Sequence, residues 1–346
     1  MIKYNYIIYI IIMDNKKLIV FICNTDYANV RTSMSYLINK YSTKYKSKII
    51  CIRKHSYYYS ICHDYDLYRS KYRKMNEAIE YIKNADIIYW AEEGQAVFLN
   101  KRIPNFAAYI SNKKKIIGHS GSIYRKNFKY FNNNDLLKYS YQILNTDLYY
   151  LSNNNNKIPL IQCTLTNPIN TEEIINRYSK NDKLIISHMP SNIKTKGTNI
   201  ISKIINRILS INNNVIYLEN KVKTKHSKIM ELKKNTHIYI DQYNLQIGGF
   251  GVSGLEGLAN GSIVLSSINK VDKNIWNILN IEPPPIIDIG VSTNELYNII
   301  DNLVKKPKEE LLLLSLNSVA WYTKYLYGKN YVDLIEKTIF DKLLIQ

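Results

Sequence analysis

Short, unbroken apolar runs alternate with segments of helical periodicity along the chain. Such runs are typical of strands buried on both faces of a parallel sheet. They predict strands at 18–23, 48–53, 85–90, 114–118, 139–144, 183–187, 214–218, 237–241 and 263–265. The periodicity predicts helices at 31–41, 76–84, 198–209, 227–234, 252–259 and 294–304, with a largely helical end from 309. This alternation favours an α/β fold with parallel sheets and right-handed crossovers.

A length of 346 residues suits two domains better than one core. The asparagine-rich run Ser152–Lys157 and the prolines after it interrupt the pattern. We therefore expect two Rossmann-like domains facing across a cleft, with a C-terminal helix crossing back to the first. The expected boundaries are 1–12 for an N-terminal extension, 13–165 and 166–320 for the two domains, and 321–346 for the returning helix.

Residues 2–12 are apolar but too short to span a bilayer, and they lack a signal-peptide cleavage site. Two interpretations stay open: translation from Met13, or a short tail that touches a membrane. The four cysteines show neither a CxxC spacing nor a Cys/His zinc pattern, which favours a reducing, cytoplasmic setting. We expect no metal site.

The formal net charge of +19 favours anionic partners. The excess of Lys accompanies an excess of Asn, Ile and Tyr, with 31 Tyr against 7 Phe, and these residues share A/T-rich codons. The basic residues are scattered. Codon bias therefore explains much of the charge, and nucleic acid is disfavoured as a partner.

Half of the twelve glycines lie between 237 and 267, in the sequence HIYIDQYNLQIGGFGVSGLEGLANGSIVLSS. The order of residues predicts a strand, a glycine loop, a helix and a second strand. A glycine loop that opens a helix collects free backbone N–H groups at the positive helix end, which suits an anion such as phosphate. An ordinary turn between a strand and a helix is the alternative interpretation.

Four stretches together resemble glycosyltransferases with the GT-B fold, nearest to glycosyltransferase family 4. Residues 187–192 and 196–198 read SHMPSN and KGT, and residues 241–261 contain DQ, GFG and EGLANG. In the first half, 118–122 with Arg125 resembles an HGSxxR loop, and 145–148 resembles a TPDL segment. The resemblance implies metal-independent transfer of a sugar from a nucleotide-diphosphate donor, with no cofactor besides that substrate.

The resemblance also implies roles for individual residues. Lys196 would stabilise the leaving diphosphate, Glu256 would bind the donor ribose, and His119 would face the sugar or phosphate, with Asp241 taking part of the sugar-side polarity. Lysine and backbone N–H groups at a helix start can stabilise such a charge. The other expected donor contacts are Ser187, His188, Ser191, Lys194, Gly197, Thr198, Gln242, Gly249, Phe250 and Gly251.

The expected acceptor contacts are Asp26, after the first strand, and Arg125, in a predicted basic loop. The sequence departs from the family at two positions. Gly248 stands where many members have an acid directed at the transferred sugar, and Ser191 replaces an arginine.

We predict a hexosyltransferase-type enzyme that transfers sugar to a hydroxyl acceptor (a glycan, a lipid-linked or another acceptor), with retention of configuration. It would be cytoplasmic, with peripheral contact to an acidic membrane as an open alternative. The alternative functions are a non-catalytic GT-B scaffold that binds nucleic acid or acidic membrane, and an enzyme that glucosylates DNA.

Overall fold

The computed structural model describes residues 15–53, 59, 64–66, 72–91, 105–119, 121–133, 140–220, 222 and 224–345. The predicted N-terminal extension lies outside these residues. The described chain divides into two compact units. The first unit contains residues 15–160, except Tyr59, together with 331–345. The second unit contains Tyr59 and residues 161–330.

Seven strands of the first unit form one parallel sheet in the order β3-β2-β1-β4-β5-β6-β7. Their bounds are β1 Lys17–Thr25, β2 Tyr45–Arg53, β3 Tyr65–Asp66, β4 Ile87–Ala91, β5 Lys114–His119, β6 Tyr141–Asn145 and β7 Lys157–Leu160. The described helices of this part are α1 Val30–Tyr41, α2 Tyr72–Asn84, α3 Phe106–Ile110 and α4 Ser122–Asn133. The apolar runs of β1 and β4 are buried at the centre of this sheet, as the unbroken pattern predicted.

Five strands of the second unit form a parallel sheet in the order β12-β11-β10-β8-β9. Their bounds are β8 Leu184–His188, β9 Val215–Glu219, β10 Ile238–Gln242, β11 Ile263–Ser266 and β12 Ile286–Asp288. The helices are α5 Thr171–Lys180, α6 Thr198–Leu209, α7 His226–Lys234, α8 Val252–Ala259, α9 Asn274–Leu279, α10 Thr293–Val304 and α11 Lys308–Tyr325. The isoleucines and leucines of β8, β10 and α6 share one core.

The C-terminal segment returns to the first unit, as predicted for this fold. After α11 the chain forms α12 Lys329–Ile335, a π-helical turn Glu336–Phe340 and α13 Asp341–Ile345. Asp341 accepts hydrogen bonds from Tyr45 Oη at 2.8 Å and Lys44 Nζ at 2.7 Å. Residues 321–330, which we expected in the returning segment, lie in the second unit, where Tyr322 Oη donates to the Thr166 carbonyl at 2.9 Å.

Two sequence expectations need correction. Residues 122–133 form a helix, so Arg125 does not lie in a loop. The pattern missed this helix because its apolar positions are few and aromatic. Lys157, which we placed at the end of the asparagine-rich loop, begins the edge strand β7, where a proline is tolerated.

Candidate functional site

The strand order of the second sheet reverses at β8, between β9 and β10. β9 lies on one side of β8, whereas β10, β11 and β12 follow on the other. In open α/β sheets, ligands bind at the carboxyl ends of the strands beside such a switch point. His188 is the last residue of β8, and Asp241 and Gln242 are the last residues of β10. The topology therefore brings these three predicted site residues together.

A β-bulge lies at Asp241. Ile240 pairs with Leu265 and Gln242 with Ser266, so Asp241 is an extra residue with no partner of its own on β11. Bulges of this kind redirect side chains and are common beside active sites. The bulge turns the Asp241 carboxylate toward the start of α8, where its Oδ2 accepts the Gly251 N–H at 3.1 Å.

His188 binds the strand residue next to the bulge. Its Nδ1 lies 2.8 Å from the Ile240 carbonyl, and because a carbonyl only accepts, Nδ1 carries the proton. Its Nε2 then accepts from the Thr198 hydroxyl at 2.9 Å. Burial lowers the pKa of His188, and the charge of Lys196 lowers it further, against the opposing effect of the Ile240 hydrogen bond. His188 is thus a neutral residue that joins β8, β10 and α6.

Lys196 and Asp241 form an ion pair at the carboxyl ends of these strands. Lys196 Nζ lies 2.8 Å from Asp241 Oδ1. The Asp241 side chain is completely buried, whereas 14% of the Lys196 side chain is exposed. The Lys196 side chain therefore covers the carboxylate and is itself partly exposed to solvent.

The loop that carries Lys196 is attached to the chain that follows β10. The Lys196 carbonyl accepts the Tyr243 N–H at 3.0 Å, and Asn244 Nδ2 donates to the Thr195 carbonyl at 2.7 Å. Gly197 adopts a φ of +68°, and a Cβ there would lie 2.0 Å from the Tyr243 carbonyl oxygen. Only glycine fits this position, which places Lys196 directly before α6.

The glycine loop is held from the sheet edge. The Gly249 carbonyl accepts hydrogen bonds from Gln242 Nε2 and, at 2.8 Å, from Ser266 Oγ. Phe250 is buried against the Trp276 ring, with the ring centroids 6.4 Å apart. These contacts fix the approach to α8, whose N-cap is Gly251.

Gly248 has a structural reason to be glycine. Its φ is +57°, and a Cβ would lie 2.2 Å from Lys270 Cγ and 2.5 Å from Asn269 Oδ1. A glutamate with this backbone would be strained and would collide with its neighbours. An acid at position 248 would therefore require the backbone and the neighbouring residues to move.

Glu256 is buried, and both of its carboxylate oxygens already have partners. Oε1 lies 2.6 Å from His226 Nε2, and Oε2 lies 2.7 Å from Lys233 Nζ. Burial raises the pKa of Glu256, but Lys233 and His226 outweigh it and hold the value at about 2. The acid is thus ionised and covered by basic side chains.

The remaining predicted donor contacts differ in exposure. Ser191 and Lys194 are exposed in the loop after β8. Ser187 is buried, and its hydroxyl lies 2.9 Å from the Thr236 hydroxyl, so it supports the sheet. Sequence reasoning missed His226 and Lys233. The two residues are seven positions apart on one helix and therefore lie on the same face. This spacing is the signal that could have identified them.

In the first unit, His119 ends β5 and is 1% exposed. Neither ring nitrogen has a hydrogen-bond partner among the described residues. Its ring packs against Tyr124 and Phe131, with centroid distances of 4.3 and 5.0 Å. Burial lowers the pKa of His119 to about 3, and the charge of Arg31 contributes to this shift. The imidazole is therefore neutral at physiological pH.

Asp26 follows β1 and is almost completely buried. Its Oδ1 accepts the Arg31 N–H at 3.0 Å and its Oδ2 accepts the Thr32 N–H at 2.7 Å. These are free donors in the first turn of α1, so the carboxylate caps that helix. Ala28 and Asn29, both with φ near +55°, make the turn that allows it.

Arg125 on α4 forms an ion pair with Asp147. The HGSxxR and TPDL stretches are thus joined to each other by their charged residues. The Arg125 side chain is 19% exposed and that of Asp147 10%, so the pair is mostly buried. The structure gives Arg125 a local partner rather than an open position.

No family model matches the chain, and no curated protein matches it in sequence. Its similarity to known proteins lies in structure. Anabaena HepE, solved in complex with UDP and glucose, has a TM-score of 0.55 at 12% identity, over 95% of this chain and 100% of HepE. S. aureus MnaA, solved with UDP, has a TM-score of 0.50 at 13% identity, over 96% of this chain and 98% of MnaA.

A third similar structure is a Listeria monocytogenes protein assigned to the UDP-N-acetylglucosamine 2-epimerases. Its TM-score is 0.50 at 12% identity, over 94% of this chain and 97% of that protein. At such low identities the similarity establishes the fold. The chain has a GT-B fold with two Rossmann-like units, as the sequence predicted.

Among the helices in the described part of the chain, none is both long enough and apolar enough to cross a membrane.

Proposed function

We propose that this protein is a glycosyltransferase that uses a nucleotide-diphosphate sugar. The observation that carries the proposal is the position of Lys196. Its ammonium lies at the switch point of the second sheet, between the starts of α6 and α8, and its side chain is partly exposed. A lysine and two helix N-termini stabilise the charge that develops on a leaving diphosphate.

The similar structures support the choice of ligand. HepE and MnaA were both solved with UDP. In our proposal the second unit binds the donor through Lys196 and the Gly249–Gly251 loop, and the buried Thr198 supports this site through its bond to His188. Glu256 lies in the same unit for the ribose, and the ribose hydroxyls would have to share its oxygens with His226 and Lys233.

For the first unit we propose an acceptor role that depends on His119. The imidazole is neutral, and both of its buried nitrogens lack a partner among the described residues. In this proposal a hydroxyl exchanges a proton with His119 only when the ring packing opens enough to admit it. Asp26 and Arg125 contribute through structure, because each is bound to neighbouring groups of its own unit. By the family resemblance the transfer would retain the anomeric configuration, which NMR of the product would show directly.

Calorimetry with UDP, UDP-glucose and UDP-N-acetylglucosamine tests the proposal. We expect the wild type to bind them, and Lys196→Met to weaken binding by about 10- to 100-fold, because a charge-assisted contact contributes about 1.5–3 kcal/mol. Lys203→Met is the matched control, since Lys203 is an exposed lysine on α6. Equal affinities for wild type and Lys196→Met would contradict the site.

Turnover separates the possible reactions at this site. Mass spectrometry of the nucleotide sugar after incubation with hydroxyl acceptors would detect transfer or hydrolysis. Epimerisation leaves the mass unchanged, so NMR of the recovered nucleotide sugar would detect it, and an epimer without transfer would assign a different reaction to the same site. Binding without any turnover would indicate a non-catalytic scaffold, which agrees with the absent acid at Gly248.

A further inference from the structure

Asp241 lies under Lys196 and is inaccessible to solvent. The carboxylate uses Oδ1 for the Lys196 ammonium and Oδ2 for the Gly251 N–H. Its side chain has no exposed surface, so a ligand on the outer side of Lys196 would not touch it. We propose that Asp241 is the positioning residue of this site: it holds the Lys196 ammonium and the start of α8 in place for an anionic ligand. The identity of that ligand rests on the proposed function.

The energetics favour a permanent pair. A buried carboxylate is strongly destabilising unless it is paired and hydrogen-bonded. Asp241 meets this requirement only while Lys196 and Gly251 stay in place. The Asp241 carboxylate also packs against the first turn of α8. A Cβ on Gly254 would lie 3.5 Å from it.

The pair leaves Lys196 ready to bind. An ammonium has three donors, and one of them is used by Asp241. Among the residues that the structure describes, no other hydrogen bond of this ammonium is found. A free lysine side chain has many rotamers, and a tether that removes this freedom before binding favours the bound state.

His188 helps to position Asp241. The Asp241 side chain takes its direction from the bulge, and the carbonyl before the bulge, that of Ile240, is bonded to His188 Nδ1. The Thr198 hydroxyl fixes the opposite side of the ring. His188 thus acts through Asp241 on Lys196 and needs no contact with the ligand.

Amine acylation tests the positioning without any ligand. Limited acetic anhydride is applied to the full chain, and labelling of Lys196 is measured by mass spectrometry against Lys203. We expect Asp241→Asn to raise Lys196 labelling by about threefold or more, because the freed side chain reaches solvent, and to leave Lys203 unchanged. Unchanged Lys196 labelling would overturn the proposal. If Asp241→Asn fails to fold, Asp241→Glu, which keeps the charge but shifts it, replaces it with the same expectation.

His188 variants give a rescue test. We expect His188→Ala to raise Lys196 labelling as Asp241→Asn does. The side-chain amide of His188→Asn can still donate to the Ile240 carbonyl, so this variant should label less than His188→Ala. Equal labelling of Lys196 in His188→Ala and the wild type would show that His188 does not help to position Lys196.

A double-mutant cycle with UDP connects the positioning to binding. With Lys196 present, we expect Asp241→Asn to weaken UDP binding about tenfold, and by less than about twofold in a Lys196→Met background. Equal losses in both backgrounds, or no loss with Lys196 present, would show that Asp241 does not act through Lys196. If the wild type binds neither UDP nor UDP-sugars, the proposed function fails, and the acylation result alone decides the positioning claim.

Discussion

The polar residues at the carboxyl ends of the strands are bonded differently in the two units. In the second unit, polar residues from β8, β10 and the glycine loop bond to one another, with Lys196 at the open side. In the first unit, Asp26 bonds to the start of α1 and Arg125 pairs with Asp147, and His119 is left without a hydrogen bond among the described residues. The comparison teaches that the candidate site residues of the second unit form one connected set, whereas those of the first unit are separate, with one buried imidazole among them.

The largest expected effect concerns the buried charges of the second unit. Glu256→Ala leaves Lys233, which is completely buried, without its carboxylate. Losing one partner of such a pair costs about 3–5 kcal/mol. Urea unfolding should show this loss, whereas Glu231→Ala, which removes an exposed acid from α7, should leave the free energy of unfolding unchanged. A loss of similar size in both variants would contradict a specific stabilisation of the buried Lys233 by Glu256.

The next effect tests how rigidly the loop before α6 is held. Gly197→Ala combines a positive φ with a collision against the Tyr243 backbone, so we expect a loss of about 2–4 kcal/mol in the free energy of unfolding. Gly121→Ala is the control: Gly121 also has a positive φ, but open space surrounds its Cβ position. It should cost only the backbone strain, about 1 kcal/mol. Equal losses would show that the Tyr243 contact does not hold the loop.

The smallest effect concerns His119 and the pH dependence of the first unit. Its pKa of about 3 in the folded chain lies below the ordinary value of 6.5. The unfolded chain therefore binds more protons, so the stability is present above pH 6.5 and declines as the pH falls toward 3. One such group costs about 2 kcal/mol between pH 7 and pH 5.

His119→Phe should reduce this decline in unfolding experiments at pH 7 and pH 5. His237→Phe is a comparison in the second unit, because burial lowers the pKa of His237 to about 4, with the charge of Arg177 contributing. An unchanged pH dependence in His119→Phe would mean that the imidazole is not buried as a neutral group.

Most of the fold could be predicted because its strands are buried on both faces. Unbroken apolar runs such as those of β1 and β10 have few other interpretations. Helices α6 and α8 begin and end where the pattern placed them, since glycine marks the start of each. Helix α4 also follows a glycine, Gly121, but it was missed because its apolar positions are few and aromatic.

The candidate site was predictable in membership but not in detail. Residue types and order pointed to Lys196, Asp241 and the glycine loop. The β-bulge that places Asp241 under Lys196 depends on pairing between strands distant in sequence, which no local pattern encodes. The same holds for Asp26, whose capping of α1 became visible only from the left-handed turn at Ala28 and Asn29.

The central claim is that the second unit binds a nucleotide sugar around Lys196. Hydrogen–deuterium exchange of the full chain, with and without UDP-glucose, tests it most directly. We predict slower exchange of the amides at 192–198 and 249–255, and loss of that protection in Lys196→Met but not in Lys203→Met. Unchanged exchange in both segments at saturating UDP-glucose and UDP would contradict the account.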